Sequence, residues 1–331
     1  MPRQARLDAP GLLHHVIARG LERRVIFPQK SDFEDFLTRV EISLEKSPNQ
    51  LLAWALMPNH FHFLIRTGSG GLSRFMRRLM SGYAVAFNAR HKRSGYLFQN
   101  RYKSIVCQED PYFTELVRYI HLNPVRAGMV KTLSDLDQYP YCGHSALMGK
   151  VSRPWQATGP VLERFGSLQR YRRFMEEGKN QGRRPELLGG GLSRSRGSLS
   201  AVIEARREGD RQQGDPRVLG EGDFVAQVLQ KAENKLEAQN TIRREGKDLR
   251  TMALAVAKKA GIPERALFSR GRRAEVSRAK SAFIYLGVEY FGRTVKGLGA
   301  ATRMTPAAAS KARERGEQLL NENPEWRSLF N

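Results

Sequence analysis

The chain has 331 residues, with 56 Lys and Arg against 33 Asp and Glu, a formal net charge of +23 and a hydrophobic fraction of 40%. That length and apolar content suit two domains with cores of their own, so the excess charge lies on a folded surface that attracts polyanions. Two cysteines, Cys107 and Cys142, are too few for a disulfide framework or a thiolate zinc site, and no apolar run nears the roughly 20 residues that span a bilayer. Met1 to Gly11 lacks the apolar core of a signal peptide, and the expectation is a cytoplasmic protein with no membrane partner.

In chain order, Leu12 to Ala18 reads as a strand and Ser31 opens a helix to about Lys46. Leu51 to Met57 and His60 to Arg66 read as a hairpin around the turn Pro58-Asn59. Gly70-Gly71 precedes a long helix to about Arg90, followed by a strand at Tyr102 to Cys107 and a helix from Pro111 to Asn123, stopped by Pro124. The order β-α-β-β-α-β implies an α+β, ferredoxin-like antiparallel sheet of four strands with helices on one face. Between about Gly178 and Gly222 the composition turns to Gly, Ser, Arg and Pro, as in Gly189-Gly190-Gly191 and Ser193-Arg194-Ser195-Arg196-Gly197. Helical patterns then dominate: Asp223 to Ala238, Leu249 to Ala260, Ala274 to Phe291, Val295 to Thr302 and Pro306 to Leu320. The expected organisation is a first domain over 1–145, a basic extension and linker over 146–222, and an all-α domain over 223–331.

Side chains alternate along a strand, so His60 and His62 of Met57-Pro58-Asn59-His60-Phe61-His62 project from one face, where two imidazoles can share a cation. Phe61 and Phe63 take the opposite, core-facing side. In Arg118-Tyr119-Ile120-His121-Leu122-Asn123-Pro124, Tyr119 and Asn123 are four apart and share a helical face. The Asn123 amide oxygen suits a divalent ion, whereas His121 faces elsewhere and reads as structural.

These residues resemble the Y1-type HUH single-strand endonucleases, in the branches of the IS200/IS605-like and REP-associated tyrosine transposases. The likeness rests on Met57 to His62, on Gly95-Tyr96-Leu97-Phe98-Gln99-Asn100-Arg101-Tyr102-Lys103-Ser104, and on Arg118 to Ala127. It covers about residues 1 to 145, and Asn at 123 favours the REP-associated branch. The resemblance implies a nuclease domain with His60, His62 and Asn123 as ligands of Mg²⁺ or Mn²⁺ and Tyr119 as nucleophile. It also implies cleavage of single-stranded or hairpin DNA through a 5′-phosphotyrosine, with strand transfer by reversal. The long C-terminal part favours a monomer over the tyrosine-exchanging dimers of the insertion-sequence branch.

From Lys46 to Gln108 there is no Asp or Glu, while Arg66, Arg74, Arg77, Arg78, Arg90, Lys92, Arg93, Arg101 and Lys103 are present. The aromatics Phe87, Tyr96, Phe98 and Tyr102 are interleaved with them, a pattern suited to unpaired bases on a cationic groove. Candidate DNA contacts are Arg77, Arg78, Arg101, Lys103 and Arg126. In the helical region, Lys296 to Leu320 resembles a helix-turn-helix of the DnaA C-terminal type. It would present Ser310, Lys311 and Arg313, with Arg270, Arg272 and Arg273 as phosphate clamps. The competing expectation is a non-catalytic regulator that binds DNA or RNA hairpins on the same fold.

Overall fold

A computed structural model describes residues 6–68, 71–182, 184–195, 213–244, 248–271 and 273–327. The chain divides into two compact units, one up to Leu229 and one from Gln230.

The first unit is built on β1 (Leu13–Arg19), α1 (Lys30–Glu45), β2 (Gln50–Met57), β3 (His60–Arg66), α2 (Leu72–Arg90), β4 (Lys103–Cys107) and α3 (Glu109–His121). The expected antiparallel order is present, β2-β3-β1-β4, and a fifth strand, β5 (Val218–Leu219), adds to β4 in parallel. α1 and α2 cover one face, where Phe36, Trp54, Phe61, Phe63 and Tyr83 are fully buried.

Helices on one face alone would leave the other open, and there the structure differs. Ala53, Ala55, Leu64 and Ile105 line the second face with apolar groups that require cover. The cover is α3, followed by α4 (Asn123–Arg126), α5 (Leu133–Gln138), α6 (Gly143–Leu147), α7 (Thr158–Phe165) and α8 (Leu168–Gly178). The expected domain end at 145 and linker over 146–222 are corrected accordingly. Val161, Phe165, Tyr171, Met175, Leu187, Val218 and Leu219 bury their side chains in the first unit, apolar anchors that a Gly- and Arg-rich composition obscures. Arg196-Gly197 of the basic run lies outside the described residues.

The second unit is helical, with Leu249–Lys259, Ala274–Glu289, Val295–Ala301 and Pro306–Glu322 around their own core. Gly316 permits close packing of the last helix on Ala274–Glu289, because a Cβ there would lie 2.1 Å from the Ser281 carbonyl oxygen. Thr305 caps Pro306–Glu322 by accepting from the Ala308 amide. Among the described residues no helix is long and apolar enough to cross a membrane.

Candidate active site

The register places the histidines. His60 pairs with Arg19 and His62 with Ile17 across β1, so both imidazoles share the face of His15, Ile17 and Arg19, under α3. The hairpin turn is clasped from outside: the Ile26 and Phe27 amides donate to the Pro58 carbonyl at 2.8 and 3.0 Å, and the Gly20 amide to that of Asn59 at 2.8 Å. Only glycine fits at 20, where a Cβ would meet the Arg24 carbonyl oxygen at 2.1 Å.

This clasp orients Asn59. Its Nδ2 donates to the Arg23 carbonyl at 3.1 Å, which turns Oδ1 towards His60 Nδ1 at 2.7 Å. An amide oxygen only accepts, so His60 Nδ1 carries the proton and Nε2 the lone pair. His62 Nδ1 lies 3.0 Å from His15 Nε2, and His15 Nδ1 lies 2.9 Å from the Leu187 carbonyl oxygen. Burial holds these rings neutral. It lowers His15 and His60 from 6.5 to about 4, with Arg19 adding repulsion at His60, and it lowers His62 well below 6.5, with His15 and His60 adding to the effect.

The predicted nucleophile joins this cluster. The Tyr119 ring stands edge-on to His62 at 5.8 Å and to His15 at 6.0 Å between centroids, while His60 and His62 are 5.1 Å apart. Pro124 has no amide hydrogen, and regular α-helix stops at His121, with Leu122 in αR conformation before α4 begins at Asn123. The bend turns Arg126 back on the tyrosine: Nη1 donates to the Tyr119 carbonyl at 2.9 Å, and the guanidinium lies 5.1 Å from the ring centroid. Asn123 keeps a buried Nδ2 without a hydrogen-bond partner among the described residues. Since the two ends of an amide are interchangeable by rotation, that buried site accommodates Oδ1 equally.

Residues 9–123 match the family model described as "Transposase IS200 like". Over that segment the chain is similar to the IS200-like transposases. A solved structure titled "Structure of the REP associates tyrosine transposase bound to a REP hairpin" is 20% identical, covers 48% of this chain and 90% of its own, and superposes with a TM-score of 0.39. No curated protein matches.

The structure thus brings together Tyr119, His60 and His62 and sets Arg126 on the tyrosine. No group of three or more His, Cys, Asp or Glu side chains able to hold a metal ion occurs among the described residues. The donor set is instead the imidazoles of His60 and His62, held neutral by burial with centroids 5.1 Å apart, a pair whose chemistry suits a divalent ion.

The other predicted contacts separate. Arg77 and Arg78 are exposed on α2 and Arg101 is exposed before β4, whereas the Lys103 Nζ donates to the Leu188 carbonyl at 2.6 Å. The acid-free stretch is partly neutralised from outside it: Arg66 pairs with Glu109, and Arg90 with Asp32 at 2.6 Å. Of its four aromatics, Tyr96 is 84% exposed, Phe98 is half-buried, and Phe87 and Tyr102 are core residues.

In the second unit Lys311, Arg270 and Arg273 are exposed, and Arg272 lies outside the described residues. Arg313 is corrected: it is buried and donates to Glu289 at 2.9 Å, so it holds helices together instead of facing a groove.

Sequence reasoning missed His15, the orienting role of Asn59, and Arg19, which binds Gln99 through Nε at 2.9 Å and through Nη2 at 2.6 Å. Strand alternation could have found His15, since it lies at even spacing from Arg19 on the His60 face.

Proposed function

We propose that the protein is a divalent-metal-dependent endonuclease and strand transferase of single-stranded DNA, acting through a 5′-phosphotyrosine on Tyr119. The observation that carries this reading is the convergence of His60, His62 and the Tyr119 ring on one sheet face of a transposase-family segment.

Nε2 of His60 and of His62, with the Asn123 amide oxygen, would hold Mg²⁺ or Mn²⁺, whose chemistry when bound is polarisation of the scissile phosphate. Tyr119 supplies the nucleophile. Its phenolate oxygen forms a bond to phosphorus, the bond from phosphorus to the 3′ oxygen breaks, and that oxygen takes up a proton while the phenolic proton leaves to solvent. The phosphoryl group stays on Tyr119 through its 5′ side. Attack by a different 3′ hydroxyl reverses the step and joins another strand. The Arg126 guanidinium beside the ring favours the phenolate, which otherwise forms only near pH 10.

Exposed Arg77, Arg78, Arg101 and Tyr96 supply cationic and stacking groups for an unpaired strand. In the second unit, Lys311 and Ser310 are exposed on the helix after the turn and suit phosphate or groove contact with hairpin DNA. A monomer suffices, because the first unit itself provides both the histidines and the tyrosine.

The test is incubation with labelled hairpin-containing single strands and Mn²⁺, resolved on a denaturing gel beside Tyr119→Phe. A protease-sensitive shifted band, absent in the variant and absent with chelator, is the expected result. Tight hairpin binding with no adduct would favour a non-catalytic regulator.

A further inference from the structure

The hydrogen bonds at the site run in a direction that can be assigned without seeing a hydrogen. The Leu187 carbonyl can only accept, so His15 Nδ1, 2.9 Å away, carries the proton. In the neutral ring His15 Nε2 is then an acceptor, and His62 Nδ1, 3.0 Å from it, must donate. His62 is thereby left with its lone pair on Nε2, the same nitrogen that the Asn59 contact leaves to His60. The His15 and His62 rings meet nitrogen to nitrogen with centroids 5.2 Å apart and planes 28° from parallel, and both are buried from solvent.

The anchor of this chain is well held. The Leu187 side chain is 1% exposed within the core under the sheet. On one side Arg184 binds Glu115 at 2.8 Å, and Glu115 in turn binds Arg118 of the tyrosine helix at 2.7 Å. On the other, Gly190 and Gly191 donate to the Pro216 and Val218 carbonyls at 3.1 and 3.0 Å, beside the strand that pairs with β4. None of these 184–218 groups belongs to the family-matched segment 9–123.

We propose that His15 is a positioning residue of the cleavage site, locked by the Leu187 carbonyl and locking His62 in the tautomer whose Nε2 accepts a metal, so that residues 185–188 complete a centre begun within 9–123. This rests on reading His60 and His62 as a ligand pair. His15 itself ligates nothing, since both of its nitrogens are engaged.

The test uses the full-length protein. Two- and three-bond ¹H–¹⁵N correlation spectra of histidine-labelled protein report which nitrogen of His62 carries the proton, and calorimetry with Mn²⁺ alone reports affinity, for wild type, His15→Leu and His15→Gln. Glutamine can place an amide oxygen where His15 has Nε2, whereas leucine cannot. The expected result is an Nδ1–H tautomer of His62 in the wild type. In His15→Leu that tautomer is lost and Mn²⁺ binding weakens about 10- to 100-fold, with substantial rescue by His15→Gln.

An Nε2–H tautomer of His62 in the wild type overturns the proposal, as does unchanged Mn²⁺ affinity in a folded His15→Leu protein. Should the leucine variant fail to fold, the wild-type spectrum and the glutamine variant still decide. If the wild type binds no Mn²⁺ while His62 keeps the Nδ1–H form under control of His15, the metal reading falls and the tautomer lock stands.

Discussion

The Arg126 guanidinium lies 5.1 Å from the centroid of the Tyr119 ring and donates to the Tyr119 carbonyl at 2.9 Å, because Pro124 ends the tyrosine helix and sends the chain back over it. Burial and the neighbouring Arg184 and Arg118 lower the Arg126 pKa, while Tyr119 opposes the shift, so the site gains from a negative charge on the phenol oxygen. Arg126→Gln should slow adduct formation about 10- to 100-fold, the cost of roughly 1.4 to 2.7 kcal/mol in lost charge stabilisation. It should also move the rate profile to higher pH. Single-turnover gels from pH 6.5 to 9.5 would measure both, and a uniform slowing with an unmoved profile would deny the guanidinium this role.

The buried histidines make stability depend on pH. His14, His15 and His60 are each lowered by burial from 6.5 to about 4, and His62 is held well below 6.5. Between those values the unfolded chain binds more protons than the folded one. Stability is therefore fully present above about pH 6.5 and falls as pH drops towards 4, with a slope of up to about 1.4 kcal/mol per pH unit for each group. Guanidinium unfolding at pH 7.5, 6 and 5 should show midpoints that fall steeply across this window. Equal midpoints would mean that these rings charge freely in the folded protein.

Much of this was legible in the sequence for local reasons. Alternation along one strand put His60 and His62 together, and the stop at Pro124 placed Tyr119 near a helix end, as found. The relay was not legible, because its anchor lies 172 residues from His15 in a Gly-rich stretch that composition marks as linker. A backbone carbonyl also leaves no residue-type signature. The burial of Arg313 is legible in the spacing: Ala309, Ala312, Arg313 and Gly316 follow the three-four spacing of one helix face, and that face is the buried one.

His121, two residues beyond Tyr119, is tied to the segment whose composition suggests a linker. Asp137 accepts from His144 Nε2 at 2.8 Å, so His144 Nδ1 accepts the Tyr171 hydroxyl hydrogen at 2.6 Å, and the Tyr171 oxygen accepts from His121 Nδ1 at 2.8 Å. Arg172 completes the chain by pairing with Asp137. Tyr171→Phe strips partners from two buried imidazoles and should destabilise the protein by about 2–5 kcal/mol, read from urea unfolding. A change within about 0.5 kcal/mol, the range of an ordinary surface substitution, would show that the network does not support the fold.

In the second unit, Arg313 and Lys311 lie two residues apart yet call for opposite behaviour. The Arg313 side chain is 6% exposed and holds Glu289, which is 19% exposed, across the helices Ala274–Glu289 and Pro306–Glu322. Arg313→Ala removes the cation from a nearly buried pair and should cost about 2–4 kcal/mol, somewhat below the 3–5 of complete burial. Lys311 is exposed on the opposite flank of the same helix. Lys311→Ala should leave the melting transition in place while weakening hairpin DNA binding and reducing its logarithmic salt slope by about one. Differential scanning calorimetry paired with binding titrations at several salt concentrations separates the two. If Arg313→Ala instead melts normally and loses the salt slope, the pairing with Glu289 is not formed in solution and the arginine faces the DNA after all.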